Sequence, residues 1–328
     1  MHDFIAIGDI VTDAFIKLKD ASVHCDIDTD KCTITLPFAE KIPYESVEEV
    51  SAVGNSPNAS VAAAKLGLKS ALVTNLGDDN EGAKCLETLK SEGVDTQFVS
   101  VHQGKKTNYH YVLWYEADRT ILVKHEEYDY KLPALDEPKW IYLSSLGNNT
   151  EKYHEEIIEY LKAHPSVNLA FQPGTFQILL GKDELKEIYE RSKVFICNVT
   201  EAEKILGIDS IDISELLKRT KELGPEIVII TDGTKGAYAY DGTNMWHQSA
   251  YPDPKPPVDR TGAGDALAST TVVALALGEN LETALKWGMI NAMSVVQQVG
   301  AQRGLLSRSQ IEEYLKSVPP EFQTKKLS

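Results

Sequence analysis

Two nucleotide-binding signatures are missing from this chain. No Gly-x-x-x-x-Gly-Lys-Ser/Thr string occurs, and no Gly-x-Gly-x-x-Gly follows the first apolar run at 4–7. A P-loop kinase or an ordinary dinucleotide-dependent dehydrogenase would need one of them. Basic charge is scarce: 33 Lys and Arg stand against 49 Asp and Glu, a net charge of −16. Without a basic excess to neutralise phosphates, nucleic acid and an anionic membrane are disfavoured as main partners. A small phosphate ligand needs only a local site. Cysteine is sparse too. Cys25, Cys32, Cys85 and Cys197 form no Cys-x-x-Cys pair and no Cys/His cluster with zinc spacing. Cys25 and Cys32 are spaced to meet across a hairpin, but free thiols in a reducing compartment are the expectation. No apolar stretch approaches membrane-spanning length. The amino-terminal run lacks a preceding basic region and soon meets Asp9 and Asp13, unlike a signal peptide. The expected location is the cytoplasm.

What is present is a rhythm of short apolar runs and helical segments. Apolar runs at 4–7, 70–76, 140–143, 167–171, 193–197 and 226–230 alternate with helical patterns at 81–92, 151–163, 202–206 and 214–223. Further helices are expected within 181–192 and at 266–277, 280–299 and 309–316, a strand at 94–101, a hairpin at 237–246, and a frayed tail at 319–328. Alternating strands and helices imply a mostly parallel sheet covered on both faces. Two excursions break the rhythm. Residues 14–19 and 32–36 alternate apolar with polar, and so do 108–116 and 120–126, joined by Ala117-Asp118-Arg119. These four strands are expected to form one small separate sheet, open on one face, serving as a lid; the same face would suit a second copy of the chain. The expected division is 1–13, 46–106 and 128–328 for the large domain and 14–45 with 107–127 for the lid.

The chain is organised around Asp259-Arg260-Thr261-Gly262-Ala263-Gly264-Asp265. A Gly-Ala-Gly turn opening a helix presents backbone N–H groups unobstructed by side chains, and with the helix dipole they form an anion site. A carboxylate beside such a site repels phosphate. Asp265 therefore reads either as a helix-capping residue or as a base that takes a proton from a hydroxyl. Similar choices attend other residues. Asp13 reads as a turn cap or a hydroxyl ligand. In Val53-Gly54-Asn55-Ser56-Pro57-Asn58-Ala59, Gly54 lets a ligand approach the backbone. Asn55 and Asn58 suit a polyol, or an Asx turn and helix cap. Asn198 and Glu201 suit a capping pair or a hydrated Mg²⁺. The Thr231-x-Gly233 turn suits packing on a nucleotide.

Taken together these motifs resemble the PfkB, or ribokinase-like, carbohydrate kinases, over nearly the whole chain. Asp259 to Asp265 looks like the family's carboxyl-terminal signature. Residues 53–59, with Leu66-Gly67 and Leu76-Gly77-Asp78-Asp79, look like its amino-terminal signature, and Asn198/Glu201 resembles its Asn-x-x-Glu motif. The resemblance implies an α/β ribokinase-like three-layer sandwich with a small β lid. It implies Asp265 as catalytic base and the Gly262, Ala263 and Gly264 amides as anion hole. Asp13, Gly54, Asn55 and Asn58 would contact the sugar. Asn198 and Glu201 would support Mg²⁺ and phosphate, Glu201 through water. Thr231, Gly233, Gly236 and the helix-borne Asn291 would lie by ATP. Asp259, Thr261 and Gly300 would match a monovalent cation site, for K⁺. Two departures bear on the substrate: Val53 stands where relatives usually carry glycine, and Phe171-Gln172-Pro173-Gly174 lacks an acidic residue that several sugar kinases carry. The expected reaction is ATP-dependent phosphorylation of a primary hydroxyl on a small ribose- or fructose-like sugar. The alternatives are a nucleoside kinase, with Phe38, Tyr109, Tyr111 and Trp114 stacking on a base, and a sugar-binding regulator without catalysis, which the intact Asp265 and Gly-Ala-Gly run disfavour.

Overall fold

Phe4–Ile7 carries no polar residue, and its four side chains are fully buried. A strand buried on both faces needs apolar cover on each. Here Phe4 and Ala6 join one core cluster, and Ile5 and Ile7 join another on the opposite face. The computed structural model describes residues 1–19, 21–26, 31–115, 118–209 and 212–327. Among these, the strand sits inside a 10-stranded sheet. Its neighbours are Trp140–Leu143 and Ser70–Gly77, both parallel to it. The parallel region continues on one side to Val99–His102 and on the other through Asn168–Phe171 and Ser192–Asn198 to Ile227–Thr231. Beyond that, Ala237–Tyr240, Met245–Gln248 and Thr324–Lys326 run antiparallel.

Helices cover both faces, as the rhythm of the sequence implies. Asn55–Lys65, Asn80–Ser91, Ala263–Ala276, Leu281–Val295 and Arg308–Lys316 contribute to the Phe4 side. Glu151–Ala163, Lys186–Arg191, Val199–Leu206 and Ile213–Lys221 contribute to the Ile5 side. The result is a three-layer α/β sandwich. No helix among the described residues is long and apolar enough to cross a membrane.

A separate four-stranded sheet has the order Tyr44–Val53, Val11–Leu18, Tyr109–Tyr115, Asp118–Leu122. This differs from the expectation in two ways. Residues 32–36 do not join it; Lys31–Thr35 pairs only with Ser22–Asp26 as a two-stranded hairpin. The sheet instead recruits Tyr44–Val53, so an expected boundary at 45/46 falls inside a strand. Ala117 of the expected connector lies outside the described residues. The hairpin also corrects the thiol expectation. Cys25 and Cys32 face each other across it with Cα atoms 4.0 Å apart, and they are joined as a disulfide. Cys85 and Cys197 are free and buried.

Elsewhere, 94–101 yields only Val99–His102, with Asp95 making an isolated bridge to Ala71. Thr175–Leu180 is a short helix that no periodicity announces. The tail is anchored rather than frayed: Phe322 is buried and Thr324–Lys326 pairs with Met245–Gln248; Ser328 lies outside the described residues. The Ile5-side core holds an aromatic triad of Phe171, Tyr189 and Phe195, with centroids 5.2–5.8 Å apart. Phe195 is fully buried, so Phe195→Ala leaves a cavity and destabilises the fold by about 3–5 kcal/mol. Chemical denaturation checks this; a loss below about 1 kcal/mol would show that the triad is not a packing centre.

Candidate active site

The helix Ala263–Ala276 begins at a point the backbone strictly limits. Gly262 is its N-cap, with φ 78°, and a Cβ there would collide with Ala301. Only glycine adopts this conformation in this space without strain. Gly264 is different: a Cβ there would meet nothing within 4 Å. It faces open cavity, beside first-turn N–H groups that have no partner within the helix.

Asp265 sits in that first turn and is held by three amides. Its Oδ1 accepts from Asn55 Nδ2 at 3.0 Å and Gln172 Nε2 at 3.2 Å, and its Oδ2 accepts from Asn58 Nδ2 at 2.8 Å. The amides are themselves oriented. Gln302 donates to Asn58 Oδ1 at 2.9 Å, and the Tyr142 hydroxyl donates to Gln172 Oε1. The acceptor ends of Asn58 and Gln172 are thus occupied, which leaves their N–H ends for Asp265. Burial pushes the Asp265 carboxyl above the ordinary aspartate value; the Asn58 and Gln172 hydrogen bonds and the Arg119 charge oppose this, and the Asp13 charge adds to it.

Gly54 joins the lid strand Tyr44–Val53 to the helix Asn55–Lys65 with φ 122°, and a Cβ there would lie 2.8 Å from the Asp9 carbonyl oxygen. This junction swings Asn55 and Asn58 toward Asp265. Asp13 arrives on the lid strand Val11–Leu18. It is buried, its Oδ1 has no hydrogen-bond partner, and His110 Nδ1 lies 3.4 Å away. Together these residues line a cavity of about 530 Å³ that also reaches Asn198, Glu201 and Thr261. A second cavity, of about 400 Å³, is lined by Thr231, Gly233, Gly236, Tyr251, Met289 and Met293. The two share Asn198, Thr231, Arg260 and Gly264. They meet at the helix N-terminus.

Asn198 and Glu201 form a reciprocal capping box, with Glu201 N donating to Asn198 Oδ1 at 2.8 Å and Asn198 N donating to Glu201 Oε2 at 2.9 Å. They cap the helix; Asn198 borders both cavities and Glu201 borders the first. Burial raises the Glu201 carboxyl, the Asn198 N–H opposes it, and the Asp265 charge adds to it. Among the described residues no group of three or more His, Cys, Asp or Glu is gathered tightly enough to hold a metal ion alone. A single carboxylate whose Oε2 caps a helix fits a metal that brings most of its own ligands, as hydrated Mg²⁺ on phosphates does. Asp259 is buried and accepts from Thr261 N at 2.9 Å, Thr261 Oγ1 at 2.6 Å and Gly300 N at 2.9 Å. It staples the 259–261 loop to residue 300.

Asn291 does not line either cavity. It is fully buried, donates to Thr270 Oγ1 at 2.7 Å and accepts from Leu306 N at 2.9 Å. Its helix reaches the second cavity through Met289, Ala292 and Met293 instead. Nor do Phe38, Tyr109, Tyr111 or Trp114 line the first cavity. Phe38 is 98% exposed, Tyr109 hydrogen-bonds Glu49, and Trp114 lies against the Lys17 ammonium. The aromatic ring that does line it is Phe176.

Sequence reasoning missed several groups here: Asp9, His110, Arg119, His125 and Gln172. Asp9 ends the first strand and accepts from Gly147 N at 2.8 Å and from the Tyr130 hydroxyl at 2.9 Å, with His125 Nδ1 at 3.2 Å. Its position after a strand was the available signal. His110 and Arg119 lie on lid strands and His125 on the segment that follows, and only the lid's position over the cavity, not a local spacing, marks them.

A three-layer α/β core, a small sheet over one rim, and an aspartate at a glycine-opened helix define a phosphotransferase-type architecture. A pfkB family carbohydrate kinase profile matches residues 17–308, and the chain belongs to that family. It is 28% identical over 268 residues to the ribokinase of Bacillus subtilis, covering 80% of this chain and 87% of that protein. The fold is similar to that of the Methanocaldococcus jannaschii nucleoside kinase, with a TM-score of 0.77, 19% identity, and coverage of 96% of this chain and 98% of the other. It is also similar to Arabidopsis thaliana ribokinase complexed with ribose and ATP, with a TM-score of 0.79, 19% identity, and coverage of 96% and 99%.

The two glycines at the helix start are separable by experiment. Gly262→Ala forces a positive φ and a collision with Ala301, so it lowers stability by about 1–3 kcal/mol. Gly264→Ala has space and lowers it far less. Thermal melts of both variants check this, and equal midpoints would contradict it.

Proposed function

We propose that the protein transfers the γ-phosphoryl group of ATP to a primary hydroxyl of a small ribose- or fructose-like sugar, with Asp265 as the general base. The observation that carries this reading is the placement of Asp265 in the first cavity, next to Gly264, which borders both, with its carboxylate oriented by Asn55, Asn58 and Gln172. The sugar occupies the first cavity, with Asp13 Oδ1 free to accept from a hydroxyl. ATP occupies the second, against Thr231, Gly233 and Gly236. Asp265 takes the hydroxyl proton as the oxygen attacks, and the amides of Gly262, Ala263 and Gly264 face the charge that develops on the phosphoryl oxygens. Arg260, which borders both cavities, adds a cation on the same path.

Mg²⁺ arriving with ATP would spread the phosphate charge, with Glu201 and Asn198 as its protein contacts through water. A monovalent cation, K⁺ by preference, would sit beside the loop that Asp259, Thr261 and Gly300 brace, and would stiffen the anion site. The lid strands close over the sugar and keep water from the phosphoryl group. Their outer face exposes Tyr44, Tyr111 and Leu122, where a second copy would dock.

Asp265→Asn keeps the hydrogen-bonding shape and removes the base, so turnover falls by about 10²–10⁴-fold. A coupled ADP-release assay reads this, and near-normal turnover by a folded variant would overturn the mechanism. The base acts deprotonated, and its carboxyl lies above the ordinary 3.8 of aspartate. The acid limb of kcat/KM therefore falls away at a pH above 3.8 as the carboxylate takes up its proton. A limb at or below that value in the pH–rate profile would contradict the environment assigned to Asp265.

A further inference from the structure

Arg119 lies on the lid strand Asp118–Leu122, and it lines the first cavity together with Ile121 and Val123. Strand alternation puts these three side chains on one face. Its guanidinium makes no hydrogen bond or ion pair with any described residue, and its Nε is buried without a partner. Arginine stays charged, and a half-buried guanidinium beside aliphatic side chains is costly unless something answers its donors. Asp13, Glu201 and Asp265 line the same cavity and none hydrogen-bonds or ion-pairs with it, although its charge reaches the Asp265 carboxyl. Arg260 borders both cavities and serves the nucleotide side, whereas Arg119 borders only the first.

A second orphan lines the same cavity from the neighbouring lid strand. His110 lines the cavity and its Nδ1 lies 3.4 Å from Asp13, but its Nε2 is buried with no partner. The ring of His125, also lining the cavity, is 5.3 Å from that of His110, and its Nδ1 is taken up by Asp9. The lid thus brings a guanidinium and an imidazole nitrogen, both without hydrogen-bond partners, to one sugar-sized space. Sugar hydroxyls would satisfy single donors, whereas the free guanidinium fork fits a carboxylate or phosphate in two parallel hydrogen bonds.

Resting on the kinase reading above, we propose that the substrate is an anionic sugar, whose carboxylate or phosphate is bound under the lid by Arg119 with His110 and His125 beside it. The acceptor hydroxyl at the other end of the sugar then reaches Asp265.

The test uses the purified full chain with ATP and Mg²⁺, and matched sugars read by ADP release. Glucose is compared with gluconate and 2-keto-3-deoxygluconate, and fructose with fructose 1-phosphate and fructose 6-phosphate. The expected result is a kcat/KM about 10- to 100-fold higher for an acidic sugar than for its neutral counterpart. Preference within the glucose set assigns a carboxylate, and preference within the fructose set assigns a phosphate. Arg119→Met reduces the acidic-to-neutral ratio by a similar factor, chiefly through KM, and Arg119→Lys retains part of it; melting curves confirm that both variants fold. Neutral sugars turned over as well as acidic ones, with the ratio unmoved by Arg119→Met, would overturn the proposal and leave the kinase reading standing. No ADP release above background with any of these sugars or with ribose would overturn both.

Discussion

The carboxylate of Asp265 is fixed by amide groups that come from far away in the chain. Asn55 and Asn58 stand at the return from the lid, and Gln172 stands after a parallel strand. Behind them, Gln302 holds the Asn58 amide and Tyr142 holds the Gln172 amide. Gln302 also donates to the carbonyl of Ala52 at 2.7 Å, just before the lid meets the core. One charge therefore gathers the lid junction, the sheet rim, the Ala263–Ala276 helix and the 300–302 turn. A buried carboxylate is costly without such partners, and three N–H donors offset that cost while leaving the group basic enough to accept a proton.

The two cavities follow from the same arrangement. A helix whose first turn is Ala263-Gly264-Asp265 has little side-chain bulk at its start, so spaces on both sides reach its N–H groups. Asp259 keeps the preceding loop in place by accepting three hydrogen bonds, one of them from Gly300 across the chain. Gly262 permits the tight approach to Ala301. These contacts fix the floor of the site, and its roof is the lid, where His110, Arg119 and the following His125 line the cavity.

Much of this was legible in the sequence. Unbroken apolar runs such as Phe4-Ile5-Ala6-Ile7 mark strands buried on both faces, and Glu151–Ala163 matches its helical period end to end. The glycines and carboxylates of the 259–265 stretch announce their chemistry because they act within one turn. What escaped depends on register and on how elements meet in space. The 32–36 alternation is real, but it belongs to a disulfide-linked hairpin, and the lid strand it resembled is Tyr44–Val53. Arg119 looked like a hairpin connector, and only the register of Tyr109–Tyr115 with Asp118–Leu122 turns it toward the cavity. Asn291 has the residue type of a ligand contact, but its helix rotates it into the core against Thr270. Gln172 looked like a missing acid and is a hydrogen-bond donor to the proposed base.

The central claim is that one carboxylate, set next to Gly264 where two cavities meet, activates a sugar hydroxyl toward a phosphoryl group lying on the Gly262–Gly264 amides. A crystal structure of the protein with a phosphorylatable sugar and a non-hydrolysable ATP analogue tests it most directly. The account predicts the acceptor oxygen within hydrogen-bond distance of the Asp265 carboxylate, and the terminal phosphate against the start of the Ala263–Ala276 helix. A sugar bound with no hydroxyl near Asp265, or a nucleotide whose phosphates lie away from Gly264, would contradict it.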